Sequence, residues 1–146
     1  VADLVRILAI DDDVGRYDGL RRYLGDRARL DVACCAACID RLLPGAAAVL
    51  LDYDLDTGEL CGACGGWPEQ VKGSAYVAAV AAAGVPVLVV SASWPDHVAS
   101  LCESLGRAGV ARHGRISALV HEPELRWLGW LWWAGALVTG PTRGER

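Results

Sequence analysis

Short aliphatic runs alternate along this chain with segments of helical spacing. Residues 5–10, 30–34, 48–51, 85–90 and 116–120 are mostly Val, Ile, Leu and Ala, bounded by acids, glycine or proline, and read as short buried strands. Between them apolar residues recur every three or four positions. Val14, Tyr17, Leu20, Tyr23 and Leu24 mark a helix over 14–24 that Gly25 stops. Residues 36–43 form a short helix closed by Pro44-Gly45, and Ser74 caps a helix over 75–83 that Gly84 ends. Pro95 and Asp96 open a helix running to about residue 106, and 124–137 makes the last one. This β-α alternation, five times over, predicts an α/β domain: a doubly wound parallel sheet of five strands in the order 2-1-3-4-5, with helices on both faces and right-handed crossovers. A single domain over 1–138 and a frayed tail over 139–146 are expected. Residues 56–73 carry five glycines and Pro68 and read as a long irregular loop, a kind of segment that is usually functional or mobile.

Composition narrows the class. A hydrophobic share of 53% excludes a disordered chain. A net charge of −4 leaves no electrostatic footprint for nucleic acid, so none is expected as a partner. The longest apolar run, over 127–138, is short of the ~20 residues a bilayer span needs, so no membrane association is expected. The amino end lacks a basic region followed by an apolar core, so no signal peptide is read and the expected compartment is the cytoplasm, where structural disulfides are rare.

Three of the strands end in chemistry. Residues 7–10 run into Asp11-Asp12-Asp13, residues 49–51 into Asp52-Tyr53-Asp54, and residues 87–90 into Ser91-Ala92-Ser93. In an open α/β sheet the carboxyl edge is where ligands bind, so parallel neighbours would bring these groups into one acidic pocket. The competing reading of each acid is a solvated helix cap. Ser91 reads equally as a phosphate contact or as a turn hydroxyl.

These residues resemble the receiver domain of two-component response regulators, over about residues 5–106. Residues 7–12 look like the family's first strand and its acidic pair, Asp52 occupies the phosphoacceptor position, and Ser91-Ala92 matches the Thr or Ser followed by Ala that ends the fourth strand. The resemblance implies a flavodoxin/CheY-like fold. It also implies Mg²⁺ held by Asp11, Asp12 and Asp52, phosphorylation of Asp52 with Ser91 donating to a phosphoryl oxygen, and a histidine kinase or other protein as partner. One departure is that Glu122, before Pro123, stands where the family has a lysine. A glutamate cannot pair with a phosphoryl group, and Lys72, Arg112 and Arg115 are the candidate substitutes. The stretches 51–55 and 87–95 also look like a divergent receiver subfamily with Asp-His-Asp-Leu and His-Ser-x-Asn-Pro motifs, proposed to process cyclic phosphate ends. Here Tyr53, Val90 and Trp94 replace that subfamily's two histidines and its asparagine.

Two features lie outside this resemblance. Cys35-Ala-Ala-Cys38 and Cys61-Gly-Ala-Cys64 are paired in the spacing of a thiolate metal site, with 22 residues between the pairs. Structural Zn²⁺, a disulfide or redox pair, and free buried thiols are the three readings. Cys38 also fits a helix core position, as does Cys102. The three histidines share no spacing and read as surface or capping residues. Trp127, Trp130, Trp132 and Trp133 make the last helix apolar nearly all round, which predicts a homodimer through that helix.

The sequence therefore supports a stand-alone receiver-like signalling module binding Mg²⁺. Its competitors are a metal-dependent phosphoesterase of cyclic or terminal nucleotide or RNA phosphates, and a binding scaffold stapled by zinc that does no chemistry.

Overall fold

A computed structural model of the chain describes residues 4–52, 60–66, 73–89, 99–100, 103 and 116–118. Five parallel strands form one sheet in the order β2-β1-β3-β4-β5, as the alternation predicts: β1 (Val5–Ile10), β2 (Ala28–Ala33), β3 (Ala48–Leu51), β4 (Val87–Val89) and β5 (Ile116–Ala118). Strand β2 starts two residues earlier than the apolar run suggests. Ala28 and Arg29 pair with Val5 and Arg6, so the ladder extends through a polar residue that points outward.

Side chains alternate between the two sheet faces. On one face Ile7, Ala9, Ala48, Leu50 and Leu88 pack on Tyr17, Leu20 and Leu24, the buried side of α1 (Asp18–Leu24) and the turn before it. On the other, Leu8, Ile10, Val49, Leu51, Val87 and Val89 pack on Ile39, Leu42 and Val80 of α2 (Ala36–Leu42) and α3 (Val77–Ala83). The sheet is thus covered on both sides, which is why its central strands are continuously apolar.

Helix α2 begins at Ala36 as expected, but α1 and α3 begin later than the periodicity implies. Val14–Tyr17 winds as a 3₁₀ turn, capped by the Asp13 side chain accepting from the Arg16 N–H, before α1 starts. Gly73–Tyr76 does the same before α3, so the N-cap position of α3 falls at Tyr76 and not at Ser74. Gly84 ends α3 at φ 66°, a left-handed conformation that costs glycine nothing. Ala99, Ser100 and Glu103 are helical, within the helix expected from Pro95. Ser91, Glu122, the histidines, Lys72, Arg112, Arg115 and the Trp-rich segment lie outside the described residues. Among the described residues, no helix is long and apolar enough to cross a membrane.

Candidate metal centre at the carboxyl edge of the sheet

The register of the central strands builds this site. Ile7 pairs with Ala48 and Ile10 with Leu51, so the next residues, Asp11 and Asp52, come level on neighbouring strands about 4.8 Å apart. Each is fixed by its backbone: Asp11 N–H donates to Ala33 O at 3.1 Å and Asp52 N–H to Ile10 O at 3.0 Å. Alternation then sends both side chains to the α1 face, in line with Ile7 and Ala9 on one strand and Ala48 and Leu50 on the other. Asp12 follows, and carboxylate oxygens of Asp11, Asp12 and Asp52 lie within 4.8 Å of one another. Asp11 and Asp12 are fully buried and Asp52 is 3% exposed. The expectation that these three acids meet is met.

Three further residues complete the pocket. Arg16 Nη1 lies 3.0 Å from Asp11 Oδ2 and 3.7 Å from Asp52 Oδ2. The Tyr17 hydroxyl donates to Asp11 Oδ2 at 2.6 Å. The backbone N–H of Asp13 donates to Asp11 Oδ1 at 2.9 Å. Sequence reasoning placed Tyr17 only as an apolar core residue and did not single out Arg16. The available signals were a buried tyrosine just after an acidic triplet, whose hydroxyl needs a partner, and the Asp13/Arg16 spacing. The 3₁₀ turn brings both side chains back over Asp11.

The electrostatics of the pocket are those of crowded anions. Burial, reinforced by the Asp52 charge, raises the Asp11 carboxyl to about 7, against the opposing pull of Arg16, the Tyr17 hydroxyl and the Asp13 N–H. Burial and the Asp11 carboxylate push the Tyr17 phenol well above its ordinary value, so it stays a donor. Three buried carboxylates, two of them beside the Arg16 guanidinium, form an all-oxygen, anionic donor set, which fits a hard divalent cation such as Mg²⁺.

No family model and no curated protein sequence matches this chain. Solved structures do. The chain resembles the BeF3-activated DrrB receiver domain with a TM-score of 0.63 at 12% identity, covering 90% of this chain and 97% of that one. The overall architecture is decided by this match over nearly the whole length of an isolated domain. The fold is that of a response-regulator receiver domain. Other receiver domains agree: that of an HD domain-containing protein from Pseudomonas fluorescens Pf-5 (TM-score 0.61, 16% identity, covering 90% and 94%) and that of NtrX from Brucella abortus (0.56, 21%, covering 92% and 99%). Against the longer DrrB structure from Thermotoga maritima, the chain spans about half, 48%, of that chain. Within the receiver fold, Asp11, Asp12 and Asp52 stand at the carboxyl edge where the sequence placed them.

A second cluster adjoins the first. The sulfurs of Cys35, Cys38, Cys61 and Cys64 lie within 4.8 Å of one another. All five described cysteines are free thiols. Burial works to raise the Cys61 thiol, but backbone N–H groups of Cys34, Ala63, Cys35 and Cys64 outweigh it and bring it down to about 6. Cys34, just before the first pair, is pushed up to about 12 by burial and by the neighbouring Cys61. The turn carrying Cys61 and Cys64 sits directly on the acidic site's framework. A Cβ on Gly62 would lie 2.9 Å from both Val14 Cγ2 and the backbone oxygen of Val32. Gly62→Ala is therefore expected to lift this turn and lower stability by about 1–3 kcal/mol, read as a reduced denaturation midpoint at unchanged slope.

Proposed function

We propose that this chain is a receiver-like regulatory module, one domain over residues 1–138, that accepts a phosphoryl group on Asp52 with Mg²⁺ held by Asp11, Asp12 and Asp52. The observation that supports this most directly is the level placement of Asp11 and Asp52 on adjacent strand ends, with carboxylate oxygens of all three acids within 4.8 Å. When bound, Mg²⁺ would offset the charge gathered by the carboxylates and the incoming phosphoryl oxygens.

The chain's own residues do the rest. An Asp52 carboxylate oxygen attacks phosphorus, a new O–P bond forms, and the bond to the donor's leaving group breaks. The donor is the phosphohistidine of a kinase or a small acyl phosphate. Tyr17 and the Asp13 N–H hold Asp11 in place by donating to its two oxygens. Arg16 brings a fixed positive charge to the pocket and takes the role that the lysine of other receivers would have, since Glu122 cannot fill it. Ser91 is assigned the hydrogen bond to a phosphoryl oxygen, on its position after the fourth strand.

Incubation with acetyl phosphate and Mg²⁺, followed by intact mass, tests the proposal. The expected result is one added phosphoryl mass that disappears in Asp52→Ala and without Mg²⁺. No added mass, or turnover of 2′,3′-cyclic nucleotides in its place, would reject it.

A further inference from the structure

We propose that Cys35, Cys38, Cys61 and Cys64 form a tetrathiolate Zn²⁺ site that fastens the 60–66 turn to the junction of β2 and α2. This site is independent of the phosphoacceptor proposal. Zinc with Zn–S bonds of about 2.3 Å in a tetrahedron places sulfurs about 3.8 Å apart. Cys35 Sγ and Cys64 Sγ are 3.6 Å apart, and the four sulfurs all lie within 4.8 Å. A disulfide would need about 2.05 Å, so this pair stands at the edge length of a metal tetrahedron and is not bonded.

Ordinary core packing does not account for the cluster. Cys38 and Cys61 are 5% and 2% exposed and could pack as small apolar groups, but Cys64 is exposed and Cys35 only half-buried. Burial gives no reason for the last two to converge on the first two. The backbone around them is shaped for sulfur. The turn is closed by Gly65 N–H to Cys61 O at 2.7 Å and Cys61 N–H to Gly66 O at 2.8 Å, with Gly65 at φ 72°, where only glycine is unstrained. That geometry turns the Gly66 N–H toward Cys64 Sγ at 3.4 Å, while the Cys34 N–H points at Cys61 Sγ at 3.5 Å. The Arg41 guanidinium lies 4.0 Å from Cys38 Sγ. Donors directed at sulfur offset negative charge on a thiolate set, the form in which cysteine binds metal.

The location gives the clasp its consequence. The turn follows β3, the strand that runs into Asp52, and Gly62 rests on Val14, which opens the 3₁₀ turn carrying Arg16 and Tyr17. Four soft sulfur ligands select zinc over the hard cation suited to the acidic pocket, so the two sites keep separate ions.

The test uses the full chain purified under reducing conditions without added metal. Elemental analysis is expected to find one zinc per chain, retained in Cys102→Ser and lost in Cys64→Ser. Exchange of the wild-type protein into Co²⁺ is expected to give the intense visible bands of a tetrahedral thiolate site, a readout that does not depend on any variant folding. Stripping with a chelator should lower hydrogen-exchange protection over 60–66 by about tenfold or more, restored by Zn²⁺ and not by Mg²⁺. Less than about a tenth of an equivalent of zinc together with no cobalt spectrum, or a Cys35–Cys64 disulfide in the freshly purified protein, overturns the proposal.

Discussion

Asp11→Asn is expected to stabilise the metal-free protein by about 2–4 kcal/mol at pH 8 while weakening Mg²⁺ binding tenfold or more. Asp11 is fully buried, and burial together with the Asp52 charge raises its carboxyl to about 7. Its folded-state value is therefore above the unfolded value of about 3.9, so the folded chain holds this proton more tightly than the unfolded one. The stability contributed by that proton is fully present below about pH 4 and is lost as pH rises through about 7. Asparagine keeps the shape and an acceptor oxygen for Tyr17 but never ionises. The gain over wild type should thus be near zero at pH 4, grow across the interval, and level off by pH 8. Chemical denaturation in EDTA at several pH values reads this directly. A variant less stable than wild type at pH 8 would mean that the Arg16 and Tyr17 contacts outweigh the crowding of the anions.

Arg16→Met is expected to act in the opposite direction, costing about 1–3 kcal/mol in EDTA at pH 8. Its guanidinium is the described cation nearest to Asp11 and Asp52, at 3.0 and 3.7 Å. Removing it leaves buried carboxylates that must protonate or stay uncompensated. Millimolar Mg²⁺ should restore most of the loss, because the metal then supplies the missing charge. Mg²⁺ should also bind more tightly to the variant, having no fixed cation to oppose it. On an Asp11→Asn background the cost of Arg16→Met should shrink, since the two residues interact directly and their effects do not add. A loss that Mg²⁺ leaves unchanged would assign Arg16 a packing role only.

The parts of this molecule that were legible in the sequence are those set by local pattern. Strand runs such as Ala48–Leu51 are too short and too apolar to be anything else in an alternating chain, and β1 and β3 both run straight into an acid. Parallel pairing then forces Asp11 and Asp52 together, because the register that aligns Ile10 with Leu51 leaves no freedom for the next pair. The two cysteine pairs were legible for the same reason: three-residue spacing puts both sulfurs of a pair on one side of a turn. Arg16 and Tyr17 were not, because their contacts with Asp11 depend on a 3₁₀ winding over Val14–Tyr17 that apolar spacing does not distinguish from α-helix. The later start of α3 escaped notice similarly, with Ser74 suggesting an N-cap position that falls at Tyr76. The early start of β2 reflects ladder hydrogen bonds to β1, which a polar Arg29 makes as well as any residue.

Crystals of the protein soaked with Mg²⁺ and beryllofluoride bear most directly on the acidic pocket. The expected density is a metal at about 2.1 Å from carboxylate oxygens contributed by the Asp11, Asp12 and Asp52 cluster, with beryllium bonded to an Asp52 oxygen and Arg16 displaced from between the acids. A pocket still bridged by Arg16, with neither metal nor beryllium on Asp52 at saturating concentrations, would contradict it.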